Sequence, residues 1–260
     1  MIGLEFRNEQ LLTLLLLLVR CSGIFVFTPF LGSVNIPIQV RVLLSFALSY
    51  LLALNFQAPV TTHSWSMIAI LLGLAGELLV GMVLGFAAYA IFAGLQFAGQ
   101  LISFEIGLSL VNTIDPQSSS RSATLSVYQN YLGVMLFLGF DGHHWFIQAI
   151  QSSLAIVPPY SMSLNGALVR KMVGLTAQLF VIGFQVAAPV TAVIVLTDFV
   201  LGLIGRSAPQ IQILIIGFPI KILTGLSALG LTLYFLPAAM RVYAAQLHSD
   251  FGLLIQLLRR

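Results

Sequence analysis

The chain has 260 residues, 59% of them apolar and only 7% charged, with a formal net charge of +3. A soluble domain carries about 25% charged residues, so a water-facing surface cannot be built at this length and the natural solvent is lipid or other apolar protein. The small, dispersed charge, with no basic run and no aromatic-basic interleaving, excludes a nucleic-acid surface. Residues 1–10 set Glu5 and Glu9 against one base, Arg7, a poor signal-peptide start. The apolar run 11–31 has no small-residue cleavage site, so a retained membrane helix is expected there. Arg20 follows seven leucines in 11–19. A mid-membrane arginine costs roughly 2.5–3.5 kcal/mol, and each leucine returns about 0.3–0.6 kcal/mol. The segment therefore inserts, but Arg20 needs a partner, a wet path or a route to snorkel. Cys21 is the single cysteine, which leaves no internal disulfide and no thiolate metal site.

Further apolar stretches cover 40–56, 67–104, 123–157, 172–205 and 211–240, with a weaker amphipathic tail at 242–258. The pattern predicts an all-α, polytopic membrane protein of about six hydrophobic segments in one domain, 1–260, without a 20–50-residue repeat. Counted on six crossings, Arg7, Arg170, Lys171, Arg241, Arg259 and Arg260 share a side and Arg41, Arg121 and Arg206 the other. The positive-inside rule then puts both termini in the cytoplasm.

Two stretches are too long for plain crossings. Residues 67–104 would form a helix of roughly 57 Å, against a hydrocarbon core of about 30 Å and tilts that rarely pass about 40°. This segment is expected to be broken, or to leave the lipid under protein cover. Residues 172–205 pose the same problem, with Pro189 placed to kink them. In the first stretch Gly81 and Gly85, then Ala90, Gly94 and Ala98, recur at four-residue spacing, which suits close helix contact either with another subunit or within the chain. Glu77 and Glu105 flank its uncharged run. Asp198 closes the later stretch, and none of these acids pairs with a second carboxylate at helical spacing. A proton relay and a helix-end or interface hydrogen bond both remain open for them.

The segment 105–122, EIGLSLVNTIDPQSSSRS, is polar and longer than usual connections. Pro116 pushes Asp115 out of helical geometry. Its apolar head, Ile106, Leu108, Leu110 and Val111, is odd for a solvent loop and suits one that packs in a pore yet can leave it. Further on, Arg206-Ser207-Ala208-Pro209-Gln210 reads as a tight turn, and Gly217-Phe218-Pro219 as an interruption of the returning helix. Lys221 lies just beyond. His143 and His144 are neighbours on a helix and are expected to point to different sides, a poor metal pair. Neither HExxH, GxSxG nor a Walker-type loop occurs, so no catalytic, cofactor or metal residue is expected, and no cofactor. A small-solute transporter is the main alternative, since it explains broken helices and isolated charges. A lipid-modifying enzyme would lack any catalytic cluster.

Taken in order, these pieces resemble the FliR family of the flagellar and virulence type III export apparatus. The resemblance rests on Pro29, Ile36-Pro37 and Arg41, then Gly107-Leu108-Ser109 with Asp115-Pro116, and Gly142-His143 with Trp145. It continues through Ala188-Pro189, Leu201-Gly202-Leu203, Arg206, Ala208-Pro209-Gln210 and Gly217-Phe218-Pro219. It implies long, kinked helical hairpins stacked in a hetero-oligomeric export gate of the bacterial inner membrane, within the flagellar basal body. The implied partners are FliP-type and FliQ-type gate subunits, FlhB-type and FlhA-type export proteins, the basal-body ring and rod, membrane lipid, and unfolded flagellar proteins as cargo. It further implies that Glu105, Ile106, Gly107, Leu108, Ser109, Leu110, Val111, Asn112, Thr113, Ile114, Asp115, Pro116 and Gln117 plug the closed pore. Leu108, Leu110, Val111 and Ile114 would form the seal, with Gly107 as hinge. Asp198 and Lys221 depart from the family pattern by carrying charge, and are expected to meet companion subunits or each other across the hairpin.

Overall fold

A computed structural model describes residues 8–28, 32, 36–55, 67–108, 124–208, 210 and 213–259. The described residues form seven helices: α1 (Asn8–Phe27), α2 (Ile38–Asn55), α3 (Met67–Ile106), α4 (Thr124–Gly139), α5 (Gly142–Ile156), α6 (Gly166–Ser207) and α7 (Ile213–Leu258). No strand occurs among them; Met162 and Arg259 make one isolated antiparallel bridge. The all-α reading holds. Four helices, α1, α3, α6 and α7, are long and apolar enough to cross a membrane.

The long helices carry fewer breaks than the sequence suggests. The stretch 67–104 is not interrupted: α3 is one helix of 40 residues, about 60 Å long. It has no internal proline, and its glycines cost propensity without removing a backbone hydrogen bond. Pro189 lies inside the 42 residues of α6 without ending it. Gly217-Phe218-Pro219 does not interrupt the return arm either. Pro219 and Pro237 both fall within the 46 residues of α7, which absorbs the separate tail expected at 242–258. Each proline removes one backbone hydrogen bond. In apolar surroundings the remaining backbone bonds and lateral packing keep the helix intact.

One stretch shows the opposite. The stretch 123–157 is two helices, because the chain turns at Phe140 and Asp141. Asp141 adopts a left-handed backbone, φ 57°, which Asp tolerates better than most residues.

The residues cluster into two compact units. The first holds Met1–Tyr89, Asp141–Leu175 and Ala245–Arg260; the second holds Ala90–Phe140 and Thr176–Ala244.

In the first unit α1 packs on α2, and Leu12 and Leu16 pack with Ile70 and Leu74 of α3. Gly23 meets Gly81 where α1 crosses α3: a Cβ on Gly23 would come within 2.8 Å of the Leu78 carbonyl, and one on Gly81 would overlap the Arg20 carbonyl. The Phe27 ring stands edge-on to Phe86 at 6.1 Å. Asn165 joins two helix ends. Its Oδ1 accepts from the Leu168 amide at 2.8 Å, capping α6. Its Nδ2 donates to the Leu257 carbonyl at the end of α7, at 2.8 Å.

In the second unit Phe92 meets Phe137 edge-on at 5.4 Å, and Phe97 lies 5.4 Å from Phe180 and 5.6 Å from Phe184. Gly94 faces Ile182, whose Cγ2 a Cβ would approach to 2.9 Å. Ala90 and Ala98 are buried.

Gly81 gives a direct test. Gly81→Ala should destabilise the detergent-purified chain by about 1–3 kcal/mol, the cost of overpacking. Gly230→Ala, where a Cβ meets nothing within 4 Å, should stabilise by about 0.5–1 kcal/mol. Thermal unfolding of both variants checks the contrast.

Candidate functional site

The first unit encloses a polar cluster. Arg20 is fully buried and Glu77 is 1% exposed. Arg20 Nε donates to Glu77 Oε2 at 2.5 Å, Nη1 to Ser153 Oγ at 3.2 Å and Nη2 to the Val157 carbonyl at 2.9 Å. Ser153 Oγ donates in turn to the Ile150 carbonyl at 2.7 Å. Arg20 thus neutralises its charge on α3 and satisfies a carbonyl at the C-terminal end of α5. That end is the negative end of the helix dipole, where a cation is favoured. Glycines allow this reach, since Gly23, Gly81 and Gly85 bring the two backbones close enough for a side chain to span them.

Ser153 and Val157 carry no motif, and neither stood out in the sequence. A readable signal was Pro158-Pro159, which ends a helix and leaves carbonyls in need of donors. The cluster can hold three helices in register.

The second unit holds the root of the 105–117 segment. Glu105 and Ile106 complete the last turn of α3 instead of opening a loop. Thr191 Oγ1, on α6, donates to Glu105 Oε1 at 3.0 Å. The other carboxylate oxygen of Glu105 is buried without a partner among the described residues. Ile106 is fully buried, seated at Gly225 of α7, where a Cβ would come within 2.5 Å of its Cγ1. Gly107 then turns the chain with φ 88°, a left-handed value that glycine adopts without steric cost, while its amide donates to the Phe104 carbonyl at 3.1 Å. Leu108 is half-buried. Ser109, Leu110, Val111, Asn112, Thr113, Ile114, Asp115, Pro116 and Gln117 lie outside the described residues.

Asp198 and Lys221 meet across the α6–α7 hairpin, with Nζ 2.5 Å from Oδ1 and side chains 48% and 29% exposed respectively. Thr197 and Thr224 approach to 3.4 Å beside them. Arg206 sits in the last turn of α6, where its charge complements the helix dipole. Gln210 is exposed and Pro209 lies outside the described residues. His143 and His144 do not diverge: their rings are 4.2 Å apart, in the first turn of α5.

The sequence pattern of the family described as bacterial export proteins, family 1, matches residues 11–247. Among similar proteins, the flagellar biosynthetic protein FliR of Bacillus subtilis is 28% identical over 254 residues, covering 94% of this chain and 92% of its own. The Escherichia coli protein of that name is 29% identical over 231 residues, covering 87% and 88%. That of Caulobacter vibrioides is 32% identical over 224 residues, covering 84% and 87%.

The buried pair makes an asymmetric prediction. Arg20→Ala strands Glu77 without its partner and should cost about 3–5 kcal/mol. Joint replacement, Arg20→Leu with Glu77→Leu, removes both charges and should recover most of that loss. A double-mutant cycle on denaturant unfolding in detergent measures the difference, and additive single effects would contradict it.

Proposed function

Because the chain belongs to bacterial export protein family 1, we propose that it is a core subunit of the flagellar type III export gate in the bacterial inner membrane. The observation that carries this reading is the family match over 11–247 together with relatives of matching length that bear one flagellar name. The helix lengths agree with it. Helices of 40, 42 and 46 residues outrun a hydrocarbon core of about 30 Å and suit a subunit walled in by other proteins. FliP-type and FliQ-type subunits would supply that cover, with an FlhB-type protein around the entrance and an FlhA-type protein as a further partner. The cargo is unfolded flagellar protein. Nothing in the comparisons favours a small-solute transporter.

Within the gate the segment after Gly107 acts as the plug. Its root is fixed by the Glu105–Thr191 hydrogen bond and the Ile106 seat at Gly225, so Glu105 and Ile106 serve as anchor and the swinging part begins at Gly107. Leu108, Leu110, Val111 and Ile114 pack the pore when closed, and the polar remainder lets the segment move aside. Arg20 and Glu77 keep α1, α3 and α5 rigid while it does so. Gly81, Gly85, Ala90, Gly94 and Ala98 pack the chain's own helices.

Two measurements test this. The subunit should co-purify from its native membrane in one large hetero-oligomer; a monodisperse lone protein would overturn the assignment. Deleting 110–114 should make the purified gate leak ions while leaving its assembly intact, and an unchanged leak would remove the plug role.

A further inference from the structure

The turn that divides 123–157 gathers three potential metal ligands. Asp141 stands in left-handed conformation, φ 57° and ψ 25°, immediately before α5. His143 and His144 occupy the first turn of that helix. One ligand atom from each of the three lies within 4.8 Å of the other two. The imidazole rings are tilted against each other at 4.2 Å, and Asp141 Oδ1 is 3.7 Å from His144 Nδ1. His143 Nδ1 is shut from solvent and has no hydrogen-bond partner among the described residues, a need that folded proteins ordinarily meet. Neither the Arg20 cluster nor the plug root uses any of these groups.

We propose that Asp141, His143 and His144 form a binding site for a divalent transition cation of the zinc class, contrary to the expectation from sequence that the two histidines diverge. Imidazole nitrogens and a carboxylate suit Zn, Ni or Cu, whereas Ca and Mg demand several oxygens. Three protein ligands with a water in fourth place make an open tetrahedral set. Bonds of about 2.0–2.2 Å put tetrahedral ligand atoms roughly 3.3–3.6 Å apart. Separations of up to 4.8 Å therefore need a contraction of at most about 1.5 Å, on bond lengths of that kind. Side-chain rotation supplies it, since the side chains of Asp141 and His144 are 77% and 59% exposed. The partial positive charge at the start of α5 opposes a cation, and the Asp141 carboxylate at the same end offsets it. A bound ion would fix the turn ahead of α5 by cross-linking three residues of one short segment.

The test is titration of the full-length, detergent-purified chain, carrying no polyhistidine tag, with zinc chloride by calorimetry. One ion per chain is expected. His144→Gln, an exposed change that spares the fold, and His143→Gln should each weaken binding at least about tenfold, the scale seen even for losses outside the ligand shell. His248→Gln should leave it unchanged. Cobalt in place of zinc should give the intense visible absorption of four-coordinate geometry, lost in both ligand variants. Binding no tighter in the parent chain than in the His143→Gln/His144→Gln double variant would overturn the site, as would an equal loss with His248→Gln.

Discussion

Length is the constraint that organises this molecule. Three helices run unbroken for 40, 42 and 46 residues, about 60–70 Å each, where the lipid core offers about 30 Å. Tilt cannot close that gap, since it would have to reach about 60°, beyond the usual range of about 40°. Yet these helices carry long apolar stretches and present large side chains outward, among them Phe184, Leu196 and Phe199 on α6 and Leu223, Leu231 and Phe235 on α7. Such surface is not stable against water. What the lipid does not cover, neighbouring polypeptide must, and membership in an export family supplies the neighbours.

Burying Arg20 follows from the same condition. An isolated guanidinium in an apolar interior would be prohibitive. Here its donors reach a carboxylate, a hydroxyl and a helix-terminal carbonyl, so desolvation is offset at three points. The result is a fastening among α1, α3 and α5 that uses no large side chain at the crossing itself. Gly23 and Gly81 occupy that position, and close backbone contact substitutes for interdigitation. The end of α3 relies on ordinary means instead: a hydrogen bond, a seated isoleucine and a glycine at positive φ.

Much of the fold could be read from hydropathy. Helix positions, the all-α class and the excess length follow from apolar runs. Partners could not be read so well. Arg20 announces that it needs a counter-charge, but Glu77 lies far along the chain and no periodicity links them. Ser153 contributes a hydroxyl, common along the chain, and Val157 a backbone carbonyl, which every residue type carries. Pro219, read with Gly217-Phe218 as an interruption, lies inside a continuous helix, as do Pro189, read as a kink, and Pro237. The break at Phe140 and Asp141 stands beside an Asp-Gly dipeptide, a turn signal that the surrounding apolar residues conceal. The Asp198–Lys221 contact was one of two options that charge alone left open, and the hairpin geometry selects it.

Lipid exposure along α3, α6 and α7 bears most directly on this account. Nitroxide labels placed one residue at a time in the assembled complex, read by oxygen-enhanced relaxation, would map it. The account predicts that on each helix acyl-chain contact is confined to a window no longer than about 20 residues, the span of the hydrocarbon core, with protein-shielded positions beyond it. Contact with acyl chains continuing around and along the full length of these helices would contradict it.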